Sequence, residues 1–303
     1  MHWAFAADVP IATQAQATLG IPGAPDFLAV DRDQVWVLNT GRVERLSSRS
    51  RAPTATVTLT EPCGAMVVAY GSLWVADCHD KAVVRIDRQT LAVTARIATG
   101  LADPEGELSL AAGAGSVWVL SDATGVLTRI DARSNSIVAR IPVAAHSFAA
   151  AFGFDSVWIT TTEAAGQVQR IDPAGNRVAA TIAVGPLPRF LAAGAGGVWT
   201  LNQGDGSVSR IDPRHDRLVA SIEAGVPGSG GDIDAGAGRV WVRATRILLA
   251  EIDPATNRIV RTYGPPAGSG AVRVAAREVW VTAHDIQTVW ALRTRQQGLV
   301  RTP

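Results

Sequence analysis

The chain has 303 residues, 47% of them hydrophobic, with 28 basic and 27 acidic side chains and a formal net charge of +1. That length fills one large core or two ordinary ones. The balanced charge excludes a nucleic-acid groove or an anionic membrane as the main partner, and no apolar run has the length of a membrane span. Lys81 is the single lysine, so Schiff-base chemistry has one candidate.

Residues 1–12 contain Ala4-Phe5-Ala6, an A-x-A pattern that fits the tail of a signal peptide and an ordinary alanine-rich terminus equally. Residues 13–21, TQAQATLGI, read as one isolated strand. Leu19 precedes Trp36 by 17 residues, as Ile182 precedes Trp199, and no companion strands come before it. From there the chain repeats. Trp36, Trp74, Trp118, Trp158, Trp199, Trp241 and Trp280 are spaced 38, 44, 40, 41, 42 and 39 residues apart. Most lie about ten residues before an Arg-Ile-Asp triplet and a turn such as DPAGNRV or DPRHDRL.

Residues 189–222 show the unit: RFLAA, VWTL, SVSRI and RLVASI are four short strands, and DPRHD supplies a turn with a polar residue for the left-handed position. β-branched residues are frequent and helical periodicity is absent. Four antiparallel strands per period of this length specify an all-β, seven-bladed β-propeller over residues 13–292, with one tryptophan per blade filling the space between sheets. The N-terminal strand completes the last blade and closes the ring. Residues 293–303 read as a tail, and the domain as a monomer.

These repeats resemble the YVTN-type propeller repeats of bacterial envelope and secreted proteins, and the virginiamycin B lyase-like proteins among them. The resemblance implies a seven-bladed fold and, from the lyase, magnesium-dependent opening of a cyclic depsipeptide by elimination, with histidine and glutamate at the propeller face. The lyase-type WFTE is replaced here by WVLN, WVAD and WTLN.

In a propeller, the connections from strand 4 to the next strand 1, and from strand 2 to strand 3, share the face around the channel mouth, where function concentrates. Two of the first kind are long: GLADPEGELS, with Asp103, Glu105 and Glu107, and GVPGSGGDIDA, with Asp232 and Asp234. His146 lies in one such loop, and His79 and His284 in strand 2→3 loops. His146, His284, Glu105 and Glu107 are the candidates for acid–base catalysis. Asp26, Phe27, His79, Phe148, Arg189, Phe190, Asp232, Asp234 and Arg273 are the candidates for ligand binding. Strand-1 alternation puts Asp234 and Arg273 at equal depth in adjacent blades, which predicts an ion pair near the channel. His215 falls in a turn on the opposite face. No zinc spacing, nucleophile elbow or phosphate loop is present; scattered carboxylates leave room for a divalent cation, Mg²⁺ or Ca²⁺, without specifying a ligand set.

The two cysteines bound CGAMVVAYGSLWVADC, the strand 1–strand 2 hairpin of the second blade. Folding about Tyr70-Gly71 sets Cys63 opposite Cys78, which predicts a disulfide and, with it, a periplasmic or secreted protein. Two functions follow: a propeller that binds a small molecule, glycan or protein at the loop face, or an enzyme on that face, a lyase or a lactone or ester hydrolase.

Overall fold

Each tryptophan sits in a second strand whose neighbours form a four-stranded sheet. The computed structural model describes residues 9–31, 34–101, 107–121, 125–225, 230–275 and 277–294. Blade five shows the pattern, with strands Pro188–Gly194, Gly197–Asn202, Ser207–Asp212 and Arg217–Glu223, each antiparallel to the next. Consecutive blades span 28–58, 62–98, 109–142, 147–183, 188–223 and 232–264. The seventh joins three strands from 272–293 to the N-terminal strand Ala15–Gly20, which pairs with Thr288–Arg293. The innermost strands touch around the ring, closing from Val272–Ala275 onto Leu28–Asp31. The seven-bladed fold and its closure are those the repeats predict. No described helix is long and apolar enough to cross a membrane.

One element was not legible. Val9–Pro10 runs parallel to the outer strand of blade six, opposite Tyr263 and Gly264. A single helical turn, Ile11–Gln14, then carries the chain across to blade seven. Ile11 is buried with Trp241, Leu248, Leu249 and Tyr263. A two-residue strand has no alternation to read, and its proline is tolerated because it lies on an edge.

The repeat triplet works as a latch between blades. Arg85 and Arg129 stack on Trp74 and Trp118, at 4.8 and 4.7 Å from the ring centroids. They then donate into the strand 3→4 turn of the following blade: Arg85 to Ala132 O and Asn135 Oδ1, Arg129 to Pro173 O and Asn176 Oδ1. Arg210 does the same to Pro254 O and Asn257 Oδ1, and Arg170 forms a two-pronged pair with Asp216. The acceptor side chains belong to the left-handed residues of those turns, with φ from 50 to 57° apart from Asn176 at 49°. The aspartate of the triplet caps its own turn, as Asp131 does by accepting from the amides of Arg133 and Ser134. Blade six has Glu251 in place of the arginine, and Arg239 binds it within the same blade at 3.0 Å. At the seven-to-one junction the polarity reverses: Arg51, from the turn of blade one, donates to Glu278 of blade seven. Arg129→Ala removes the stacking and two acceptors' partner, and should cost about 1–3 kcal/mol in urea unfolding. Arg133→Ala, in the exposed turn, is the control expected to stay within about 0.5 kcal/mol.

Cys63 and Cys78 form the predicted disulfide, with sulfurs 2.04 Å apart. Between them Gly64 takes φ +77°, and a Cβ there would lie 2.1 Å from Leu108 O in blade three. The glycine lets the backbone press close enough for Ala65 N to donate to that carbonyl at 2.8 Å. Closing a loop with a sequence separation of 15 residues stabilises by roughly 3 kcal/mol in the chain-entropy model. The Cys63→Ser/Cys78→Ser variant should therefore lose about that much, while reduction of a Cys-free variant should change nothing.

Candidate functional site

The channel is nearly filled. Side chains from the inner strands of all seven blades, including Phe27, Ser109, Phe148, Phe190, Asp232 and Arg273, leave a cavity of about 50 Å³. That is room for one or two waters and no ligand. Above it, at the mouth, a cavity of about 390 Å³ opens between Asp26, Phe27, Glu107, Arg189, Phe190, Gly230, Gly231 and Ser269. All of them come from the ends of strand 4→1 connections or the first residues of an inner strand, so the propeller's loop face builds the site.

Polar residues three positions after the tryptophans hold these connections in place. Asn39 Oδ1 accepts from Ala24 N at 2.7 Å, just before Asp26, and Asp77 accepts from the amides of Thr60 and Glu61. The departures WVLN and WVAD thus supply loop anchors.

The mouth is rich in charge, and most of it is paired. Arg189 donates to Glu107 at 3.0 Å while its guanidinium lies 3.9 Å from the Phe148 ring centroid. Phe148 meets Phe190 edge-on at 5.5 Å. Arg273 pairs with the buried Asp232, whose other partners are the amides of Ile233 and Val272. Burial pushes the Asp232 carboxyl up, with Arg273 acting against it. Burial also disfavours the Arg273 charge, but Asp232 and Asp234 outweigh it and hold its pKa above the ordinary value. The predicted Asp234–Arg273 pair is replaced by this one. Asp234 instead accepts from Val274 N at 2.7 Å, because its carboxylate reaches the next strand's backbone first.

Arg243 is fully buried between blades six and seven and gives its donors to the carbonyls of Thr282, Ala244 and Ala267. Burial lowers its pKa to about 10, with Asp26 and Asp285 pulling the other way. Asp26 is the exception to the pairing. Its backbone is fixed by Leu38 O and Thr282 Oγ1, but among the described residues nothing donates to its carboxyl. Burial raises its pKa to about 7, aided by Glu107, Asp232 and Asp285 and opposed by Arg243.

The structure therefore brings together Asp26, Phe27, Glu107, Phe148, Arg189, Phe190, Asp232 and Arg273. The histidines stand apart. His146 is exposed in a left-handed conformation, with its carbonyl bound by Thr162. His79, also exposed, bonds Asp80 at 3.0 Å, which raises its pKa. His284 lies 2.5 Å from Asp285. None lines the mouth cavity among the described residues. Glu105 and Asp103 lie outside the described residues. His215 is exposed on the opposite face, against Asp212. Among the described residues no cluster of three or more His, Cys, Asp or Glu side chains is arranged to hold a metal ion. Arg243 and Ser269 escaped the sequence reading. Arg243 had a signal: it stands two residues after Trp241, where the other repeats have Leu, Ala or Thr.

No family model and no curated protein matches the sequence. The fold has clear relatives among solved structures. Virginiamycin B lyase from Staphylococcus aureus superposes with a TM-score of 0.75 at 14% identity, covering 92% of this chain and 99% of the lyase. BamB from Moraxella catarrhalis gives 0.65 at 12%, covering 89% and 86%. A chain of the mitotic checkpoint complex gives 0.75 at 13%, covering 98% and 99%. At these identities the likeness is one of fold.

Proposed function

We propose that this protein is a small-molecule-binding propeller whose recognition site is the mouth of the channel. The observation that carries the reading is the 390 Å³ mouth cavity, in which aromatic rings and fixed charges converge above a filled channel. Propellers similar in fold serve both in an enzyme and in a protein assembly, so the site has to decide. A concave mouth suits a small molecule better than a flat protein partner. The Cys63–Cys78 disulfide supports an exported, oxidising location. A thiol titration of freshly isolated protein that counts two free cysteines would remove that support.

A thermal-shift screen of metabolites, sugars, lactones and divalent metals tests the reading, because a ligand bound to the folded state raises the melting temperature. A hit should lose its shift in Phe190→Ala and keep it in Arg214→Ala on the opposite face. A hit indifferent to mouth substitutions would refute the site.

A catalytic reading has one observation of its own: the Asp26 carboxyl lines the mouth without a donor among the described residues, and burial raises its pKa to about 7, where a carboxyl can both give and take a proton. Turnover of a lactone, an ester or a cyclic depsipeptide by the intact protein, lost in Asp26→Asn, would establish it. Absence of turnover across those substrates would leave the binding reading alone.

A further inference from the structure

We propose that the mouth takes a small organic cation, an ammonium or amidinium group on an apolar body, with the Asp26 carboxylate as its counter-ion. This rests on the mouth being the recognition site.

The argument is one of unmatched charge. Every guanidinium at the mouth is committed: Arg189 to Glu107, Arg273 to Asp232, and Arg243 to three backbone carbonyls. An anionic ligand would have to compete with the carboxylates that already neutralise Arg189 and Arg273. Asp26 alone has a carboxyl that lines the cavity and accepts from no donor among the described residues. It is also largely enclosed, so water does not fully replace the missing partner. A ligand cation supplies what the protein withholds.

The surroundings suit the rest of such a ligand. Phe27 and Phe190 line the cavity together with Asp26. An aromatic face attracts a cation and an apolar body alike. The remaining wall is thin. Gly230 adopts φ +84°, and a Cβ there would lie 2.4 Å from Ser269 Oγ. The glycine keeps the wall close to Ser269, whose Oγ accepts from Gly231 N at 3.1 Å. The volume of about 390 Å³ admits a single ring with a charged group.

The groups facing Asp26 set how binding depends on pH. Glu107, Asp232 and Asp285 oppose its ionisation and Arg243 favours it. His284 contacts Asp285. A bound cation shifts this balance toward the carboxylate, so binding releases a proton whenever Asp26 starts protonated.

Three isosteric probes isolate charge: benzamidinium, benzamide and benzoate, titrated by ligand-observed NMR against the whole protein. Benzamidinium should bind about tenfold or more tightly than benzamide at about pH 8, with benzoate weakest. The preference should vanish in Asp26→Asn, checked for folding by circular dichroism. It should also shrink severalfold in the unmodified protein at about pH 5, where Asp26 is protonated. The pH arm does not depend on any variant folding. Equal binding of benzamide, retention of the preference in Asp26→Asn, or no binding by any probe overturns the cation. If benzamide or benzoate binds as tightly as benzamidinium and Phe190→Ala abolishes that binding, the mouth stands as the site and only the cation falls. If Phe190→Ala leaves all binding unchanged, both fall.

Discussion

Asp26→Asn should make the ligand-free protein more stable at about pH 8 and leave it unchanged near pH 4. The folded carboxyl titrates at about 7, against 3.8 for the free group. Below the lower value Asp26 is protonated in both the folded and unfolded chains, and it contributes fully. As pH rises toward the upper value the unfolded chain releases its proton first, so the folded state holds more protons and loses stability. Above about 7 the loss is complete. The full shift corresponds to about 4 kcal/mol. Because the carboxyl faces an open mouth and is partly solvated, about 2 kcal/mol is the expected gain from asparagine. Urea unfolding of both proteins at the two pH values measures it. A variant that is no more stable than the parent at about pH 8 would show that Asp26 has a partner in solution. A site that costs stability when empty is common where function sets the residue.

Replacing Trp118 with alanine should cost about 3–5 kcal/mol. The indole is fully buried, its Nε1 donates to Gly113 O at 3.1 Å, and Arg129 stacks on its face. Phenylalanine keeps much of the volume but loses the hydrogen bond and leaves the Gly113 carbonyl without this donor, for about 1–2 kcal/mol beyond the volume change. Trp280 offers the internal comparison. It is equally buried, but its Nε1 has no acceptor among the described residues. Trp280→Phe removes an unsatisfied donor and should cost about 1 kcal/mol less than Trp118→Phe. Equal costs in thermal or urea unfolding would sink the assignment.

How far the sequence could be read follows from what repeats. The tryptophan column, the turn asparagines and the outer strand at Ala15–Gly20 recur or align with something that recurs, so the blades and their closure were legible. The arginine of the triplet recurs as well, but its purpose requires knowing that the next blade's turn lies within reach. The mouth repeats nothing. Its residues occupy corresponding positions in different blades, and their pairing is decided by side-chain length across a junction. Asp232 reaches Arg273, while Asp234, two residues deeper, meets the Val274 amide instead. The histidines drew attention by chemical type, although none lines the mouth cavity among the described residues. Asp26 was legible as a candidate, but its isolation emerges only once the three arginines are seen to be spoken for.

The strap at the N-terminus has a consequence in time. Ala15–Gly20 pairs with Thr288–Arg293, and Val9–Pro10 with Tyr263–Gly264. Blades one to six contain all four of their own strands and can form as the chain emerges, each from local hairpins. Blade seven lacks its outer strand until the beginning of the chain returns to it. The six-to-seven junction also lacks the arginine latch among the described residues, and is spanned by the strap and by bonds from Asp232, Asp234 and Arg243. Ring closure therefore requires both ends of the chain, and it cannot precede the synthesis of Thr288–Arg293. It assembles the rim of the mouth in the same step, because Asp26 is held by Thr282 across that closure. The binding site and the finished ring arrive together, and a chain that has not yet closed has no site to offer.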